Sequence, residues 1–406
     1  MKKYFGVAWK NVVRHRRRSI PAATSIAAGV AALMIAAGFI EWGLWYGREA
    51  FIHSGVGHIR LVLRDYETKG LSDPFAYLMP EGTSALQAIM GTPEVRMMAP
   101  KVTFSGLISK GETTISFIGE GVAPDKERSF SRGVTFLEGA PLDERDPPGV
   151  IMGQGLAANL GAKPGDTVVL LANTASGGIN AVEAQVRGIF ATVLKGYDDT
   201  VLRVPISVAR QLLKVSGAHS YALLLDDTSH AERVLASLRQ RFAGSVLEFV
   251  PWRQLSDFYR KTEDLFSRQV DVVRAIIGAI IVLSISNSMM MAVMERTSEI
   301  GTSMALGLRR SAILRLFLCE GLLLGSIGGL AGVAIGFALA ALLSAIGIPM
   351  PPAPGMAFGY TAEVRATWPI ALNALILAVL TALAASVYPA WKASRMQIVD
   401  ALRQNR

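Results

Sequence analysis

The chain has 406 residues, 51% of them apolar, and its 41 Lys and Arg against 32 Asp and Glu give a formal charge of +9. With a positive mean hydropathy, this composition excludes a single ordinary soluble domain and points to a membrane protein with a substantial aqueous part. The charge does not mark a nucleic-acid binder: from Gly47 to Gln269 there are 24 Lys and Arg against 25 Asp and Glu, which leaves no electrostatic footprint for a phosphate backbone and excludes nucleic acid as a partner.

Residues 1–19 set Phe5, Val7, Ala8, Trp9, Val12 and Val13 among Lys and Arg, the pattern of an interfacial helix lying along a membrane surface. A first span follows over 20–46. Its Ile20 to Ile40 stretch is long enough to cross a bilayer, Pro21 is expected in its first turn, and Trp42, Trp45 and Tyr46 suit the far membrane boundary. The apolar stretch is longer than a signal-peptide core and lacks a clear cleavage site, so a retained anchor is expected.

Residues 47–269 form the aqueous part. Alternation predicts strands over His58 to Arg64, Met97 to Ser109 and Thr113 to Gly119, the last two joined at Lys110-Gly111. A helix is expected over Thr83 to Met90 and another in GQGLAANLGA, followed by strands Asp166 to Ala172 and Ala181 to Phe190 around the tip NTASGGIN. Strand Tyr221 to Leu225, helix Ser229 to Phe242 and strand Ser245 to Val250 complete an α+β domain, expected as two subdomains with Gly149 to Pro205 inserted. The lone cysteine, Cys319, lies in an apolar span, so the domain has no internal disulfide.

The fold class expected is therefore a membrane protein of four transmembrane helices, with a large α+β periplasmic domain inserted between the first and second. The second span covers 270–294. No Gly or Pro interrupts the chain between Pro251 and Gly278, which predicts a continuous helical rod running out of the domain. Asp271 and Arg274, one turn apart, are expected to pair, and Asn287 to bond a neighbouring helix. Residues 295–315 are a polar insert; its Ala305, Leu306, Leu308 and Ile313, with Leu316 just after it, fall at near-helical spacing, more apolar than a solvated connector needs. The third span, 316–344, places Gly328, Gly332 and Gly336 at four-residue steps, a stripe for close helix packing that suits a dimer contact. A proline-rich loop over 345–367, a fourth span over 368–388 and a tail over 389–406 complete the chain.

Basic residues cluster before the first span (Lys2, Lys3, Lys10, Arg14, Arg16, Arg17, Arg18), in the insert (Arg296, Arg309, Arg310, Arg315) and after the fourth span (Lys392, Arg395, Arg403, Arg406). The positive-inside rule then puts both termini and the insert in the cytoplasm. Catalytic chemistry is missing from the sequence. No Gly is followed by Lys, so there is no P-loop. Gly153-x-Gly155 lacks the third glycine of a dinucleotide fingerprint, there is no G-x-S-x-G elbow, and the five His show no metal-ligand spacing. The carboxylate pairs Asp198-Asp199 and Asp226-Asp227 read as solvated turns.

Glu295-Arg296-Thr297-Ser298-Glu299-Ile300-Gly301, Ala305-Leu306-Gly307, Glu320-Gly321 and Gly328-Gly329, with Tyr388-Pro389-Ala390 and Ala401-Leu402-Arg403 near the end, resemble the signature of the FtsX-like permease family, which includes MacB-type and lipoprotein-releasing ABC transporters. GVIMGQGLAANLGAKPGDTVVL, VRGIF and VPISVARQLL resemble the periplasmic core of the MacB type. The resemblance implies a non-catalytic permease subunit of the bacterial inner membrane. ATPase coupling would fall to Glu295, Arg296, Glu299, Ile300, Ala305, Leu306 and Gly307 as a coupling helix, gripped by a separate cytoplasmic ABC ATPase that binds ATP and Mg, with no cofactor on this chain. It also implies a second permease copy or homologue, a periplasmic or outer-membrane partner and membrane lipids. The function implied is mechanotransmission for lipoprotein release or amphiphile efflux. The alternative is a non-transporting regulator of cell-wall hydrolases. In lipoprotein-releasing relatives the hairpin tip matching Asn173 to Asn180 is longer and engages a carrier; its shortness here leaves that contact open.

Overall fold

Long apolar stretches with outward-facing Leu and Ile at helical spacing build one of two units in this computed structural model, which describes residues 2–70, 72–130, 133–144, 148–192, 194–351 and 359–397. The first unit comprises Met1–Leu44, Thr262–Pro349 and Thr361–Arg406; the second comprises Trp45–Lys261 and Met350–Tyr360. The proline-rich stretch over 352–358 and the end of the C-terminal signature, Ala401-Leu402-Arg403, lie outside the described residues.

An amino-terminal helix, Lys2–Arg14, precedes the first spanning helix, Arg16–Phe51. The second spanning helix is Asp257–Glu295, the third Arg310–Ile346 and the fourth Trp368–Ser394, with a short helix, Thr297–Ala305, between the second and third. Among the described residues 4 helices are long and apolar enough to cross a membrane. Ile276, Ile280, Leu283, Leu330, Leu372, Ile376 and Leu380 face outward, as lipid-facing side chains do. Inside, Ile26, Val30 and Met34 meet Ile277, Ile281 and Ile285, with Phe317, Leu324, Ala378 and Ala382 closing the core.

Two glycine stripes on the third spanning helix set its two closest neighbours. A Cβ on Gly328 or Gly332 would stand 2.8 or 2.6 Å from the Cβ of Ile26 or Val30, and one on Gly336 2.7 Å from Met34 Sδ, so this stripe receives the first spanning helix. Gly321 and Gly325 would meet Ser386 and Ala382 of the fourth, each at 2.6 Å. The stripe expected for close helix packing is thus a seam with the first spanning helix of the same chain. It works because missing side chains let backbones approach closely.

Other expectations shift. The first spanning helix starts early enough to place Pro21 in its interior, where the missing N–H frees the Arg17 carbonyl. The rod is broken at Ser256, which lies between the turn Trp252–Leu255 and the second spanning helix at φ −123°, ψ 86°. Arg274 Nη1 pairs with Asp271 at 2.8 Å. The link to a neighbouring helix comes from Ser286, whose Oγ donates to the Ala385 carbonyl at 3.0 Å, and not from Asn287.

The second unit is organised by a 10-stranded sheet. Its strands are β1 Ile59–Leu63, β2 Val95–Lys110, β3 Thr113–Val122, β4 Val134–Gly139, β5 Gly149–Gly153, β6 Thr167–Asn173, β7 Ile179–Thr192, β8 Val201–Pro205, β9 Ser220–Leu225 and β10 Leu247–Pro251. The order is β10-β1-β9-β2-β3-β8-β5-β7-β4, with β6 bridging β2 and β7. The two expected subdomains are therefore one sheet: β8 pairs parallel with β3, Ile118 opposite Val201, and stitches the supposed insertion into the middle. Helices Ile206–Leu213 and Ala231–Arg241 bury Leu212, Leu213, Val234, Leu235 and Leu238 against it.

The reading of Asp198 also changes. Asp198 is 1% exposed and accepts from Thr192 N and Oγ1, both at 2.8 Å, so it ties a turn instead of facing solvent. His53 and His58 do meet, ring centroids 6.2 Å apart, but among the described residues no cluster of His, Cys, Asp and Glu suits a metal ion. His58 Nδ1 accepts from Leu225 N at 3.1 Å and Nε2 meets Thr228 Oγ1 at 3.0 Å. Burial, then His53, pushes His58 down to about 4, against the weaker pull of Glu49 and Asp227. Burial does the same to His219, also about 4.

Between pH 6.5 and 4 the unfolded chain then binds protons at these two sites that the folded chain does not, so stability is full above pH 6.5 and falls as pH drops toward 4. The loss is on the order of 2 kcal/mol per histidine at pH 5. Thermal denaturation of the full chain in detergent at pH 7 and pH 5 checks this. The midpoint is expected to fall at pH 5, and the fall to shrink by about half in His58→Gln.

Candidate functional site

The second spanning helix ends at Glu295, and Arg296, at φ −99°, ψ 14°, turns the chain into the short helix Thr297–Ala305. That helix is amphipathic. Thr297, Ile300, Gly301 and Met304 are buried, and Ile300 and Met304 join Val293, Ile313 and Phe317 in the core of the first unit.

Its anchor is ionic as well as apolar. Arg296 Nη1 reaches Glu320 Oε1 at 3.0 Å, its guanidinium stands 5.6 Å from the Phe317 ring, and its Nε lies 3.5 Å from Glu299 Oε2. Glu320, only 6% exposed, also accepts from Asn11 Nδ2 at 2.6 Å. One buried carboxylate thus binds the amino-terminal helix and the insert to the third spanning helix. Glu295, in turn, pairs with Arg18.

The outward side is built differently. The helix closes on a Schellman motif: Leu308 N donates to Ser303 O at 3.1 Å and Gly307 N to Met304 O at 3.0 Å. The motif needs a left-handed residue after the cap, and Gly307 supplies it at φ +93°. The result is a tip on which Leu306 is 85% exposed and Leu308 45%, flanked by exposed Glu299, Thr302, Ala305, Arg309 and Arg310.

The seven residues to which the family resemblance gives a coupling role therefore separate. Glu299, Ala305, Leu306 and Gly307 share the outward face, Glu295 is held by Arg18, and Arg296 and Ile300 point inward and fix the segment. Glu320, quoted in the sequence only as part of a signature, is the residue that locks the site; a lone acid in an apolar helix was the available signal.

A second construction lies in the domain, beneath the sheet. Arg203 on β8 is 1% exposed. Its Nε donates to Glu120 Oε2 at 3.1 Å, Nη1 to Glu127, and Nη2 to the Ser54 carbonyl at 2.6 Å and Tyr197 Oη at 2.8 Å, while the guanidinium lies 5.1 Å from the Phe190 ring. Burial alone would raise Glu120; Lys101, 3.1 Å away, and Arg203 override it and hold the carboxyl at about 2. Ser54 lies in the turn Ile52–Val56, so this cluster ties that turn to the sheet.

A family model described as the MacB-like periplasmic core domain matches residues 19–241, and one described as the FtsX-like permease C-terminal matches residues 272–398. The chain belongs to the FtsX-like permease family, with a MacB-like core. It is an ABC transporter permease of the MacB and LolC type, and so a membrane protein. The permease is 26% identical to the lipoprotein-releasing system transmembrane protein LolC of Xylella fastidiosa (strain Temecula1) over 80% of its own chain and 82% of that protein. It is 26% identical to the uncharacterized ABC transporter permease YvrN of Bacillus subtilis over 99% of its chain and 100% of that one. Against the macrolide export ATP-binding/permease protein MacB of Acinetobacter baylyi it is 29% identical over 67% of its chain, but it spans 41% of that longer protein.

Proposed function

We propose that the permease converts ATP hydrolysis on a separate cytoplasmic ATPase into movement of its aqueous domain, releasing lipid-anchored proteins from the inner membrane. The observation that carries this reading is the Leu306 tip: an 85% exposed leucine on a turn whose opposite face is bolted down by Arg296, Ile300 and Glu320. An apolar knob on a rigid mount suits insertion into a partner's groove.

The basic residues around the insert and the amino-terminal helix support a cytoplasmic location for this tip and for both termini, and with it a periplasmic location for the large domain. ATP and Mg then belong to the partner. Lipoprotein cargo is favoured over a small amphiphile because the LolC match covers most of both chains, whereas the MacB match covers less than half of that protein. A MacB-like core over 19–241 favours transport over the regulation of cell-wall hydrolases.

Co-expression with a candidate ATPase subunit tests the proposal. Co-purification with it is expected, along with ATP hydrolysis that rises on adding an acylated protein, and that protein is expected to photocrosslink to the outer half of Ile20 to Ile40. A permease that captures no ATPase, or whose insert is labelled by membrane-impermeant reagents from the periplasm, overturns it.

A further inference from the structure

A cleft of about 470 Å³ opens between the first and second spanning helices, lined by Arg17, Arg18, Pro21, Ala22 and Ser25 on one side and Leu283, Ser284, Asn287, Ser288 and Met291 on the other. Its chemistry is ordered along its depth. Arg17 and Arg18 lie at one end, where Arg18 also pairs with Glu295. Ser25 is seven residues further into the helix, about 10 Å deeper at the α-helical rise.

Across from Ser25, Ser284, Asn287 and Ser288 fall at positions i, i+3 and i+4 and share one face of the second spanning helix. That face is rotated away from Ile281, Ile285 and Met289, which fill the core. Leu283 and Met291 are 71% and 52% exposed beside it.

A polar stripe inside an apolar span is expensive against hydrocarbon, where amide and hydroxyl groups have no water to bond. Three such groups, with two guanidinium groups at one end and the exposed Leu283 and Met291 alongside, call for an amphiphilic occupant that has an anionic head and hydrogen-bond acceptors next to it. We propose that the cleft holds one anionic glycerophospholipid. Its phosphate accepts from Arg17 and Arg18, its ester carbonyls accept from Ser288 and Asn287, and an acyl chain runs on past Ser284 and Leu283.

Counted from Glu295, which pairs with Arg18, Ser288 and Asn287 lie about 10 to 12 Å along the second spanning helix, just inside a headgroup zone about 5 to 8 Å deep, and the long arginine side chains reach outward to the phosphates. Basic recesses between membrane helices are a recurrent way of binding such headgroups. Because Arg18 is shared with Glu295, the bound phosphate competes with the residue that ends the second spanning helix. The binding itself requires only that this end of the helices meet the bilayer surface, and so stands or falls apart from the ATPase reading.

Native mass spectrometry of the full chain, titrated in detergent with phosphatidylglycerol, phosphatidylcholine or inorganic phosphate, tests the proposal. One phosphatidylglycerol per chain is expected to be retained over phosphatidylcholine. The pair Arg17→Gln with Asn287→Leu is expected to weaken it about fivefold or more, whereas Arg14→Gln, an equal loss of charge outside the cleft, is not. Equal retention of both lipids, displacement by millimolar inorganic phosphate, or an unchanged affinity in the double variant in a chain that melts at the native temperature overturns it. So does chain-to-chain crosslinking from Asn287→Cys in a Cys319→Ser background, which makes a second copy the occupant.

Discussion

Leu306→Asp is expected to abolish capture of the ATPase while leaving the permease folded. Leu306 is 85% exposed in the isolated chain, so its loss removes no internal packing. In a partner's groove the same side chain contributes roughly 2 to 3 kcal/mol of burial, and a buried carboxylate adds a desolvation cost. Together these predict an affinity loss of at least about 100-fold, measured by co-purification and by titrating ATPase activity against the permease. Ile300→Asp is the contrasting variant: it places a charge in the core with Phe317 and Ile313, so it is expected to lower the thermal midpoint as well as capture. If Leu306→Asp binds the ATPase as the natural chain does, the tip is not the docking element and the proposed mechanism fails.

That contrast marks how far the sequence could be read. The polar insert was legible because a run of charged and hydroxyl residues between two apolar stretches cannot lie in hydrocarbon. Which side of the insert faces a partner was not legible. Arg296 and Leu306 look equally available in the sequence; the buried Glu320 and Phe317, which claim Arg296 from a different helix, decide the phase. The spans were visible as composition, yet the glycine stripe that suited a dimer contact serves Ile26 and Val30 of the same chain, because periodicity shows that a face is small without showing what covers it.

In the domain the local elements could be read and their joining could not. Strand β5 is buried along its whole length, so it shows none of the alternation that marks a half-exposed strand. The parallel pairing of β3 with β8, which makes one sheet of two expected subdomains, rests on contacts between residues 118–122 and 201–205. Arg203 was equally invisible. Within Val201-Leu202-Arg203-Val204-Pro205 it looks like the solvated member of an alternating strand, and its carboxylate partners are 83 and 76 residues away.

Arg203→Met is expected to be the most damaging single change in the domain. It leaves Glu120 with only Lys101 and the Tyr197 hydroxyl, strips Glu127 of its guanidinium, and removes the donor that holds the Ser54 carbonyl. Breaking a buried ionic cluster by deleting one member costs about 3 to 5 kcal/mol, because the remaining charges stay desolvated. Arg203→Lys keeps the charge but cannot reproduce a planar fork that reaches four partners, so it is expected to recover only part of the loss. Chemical denaturation of the full chain in detergent measures both. A separate readout isolates the link to the turn that carries Ser54. Amide exchange in 52–57, where the turn after the first spanning helix is tied to Arg203, is expected to accelerate by about tenfold or more, the equivalent of losing one hydrogen bond to a charged group. Exchange on β6, at the far side of the sheet, should change only with global stability. If 52–57 and β6 accelerate together, the cluster is simply part of the core; if 52–57 accelerates first, Arg203 is what holds that turn to the sheet.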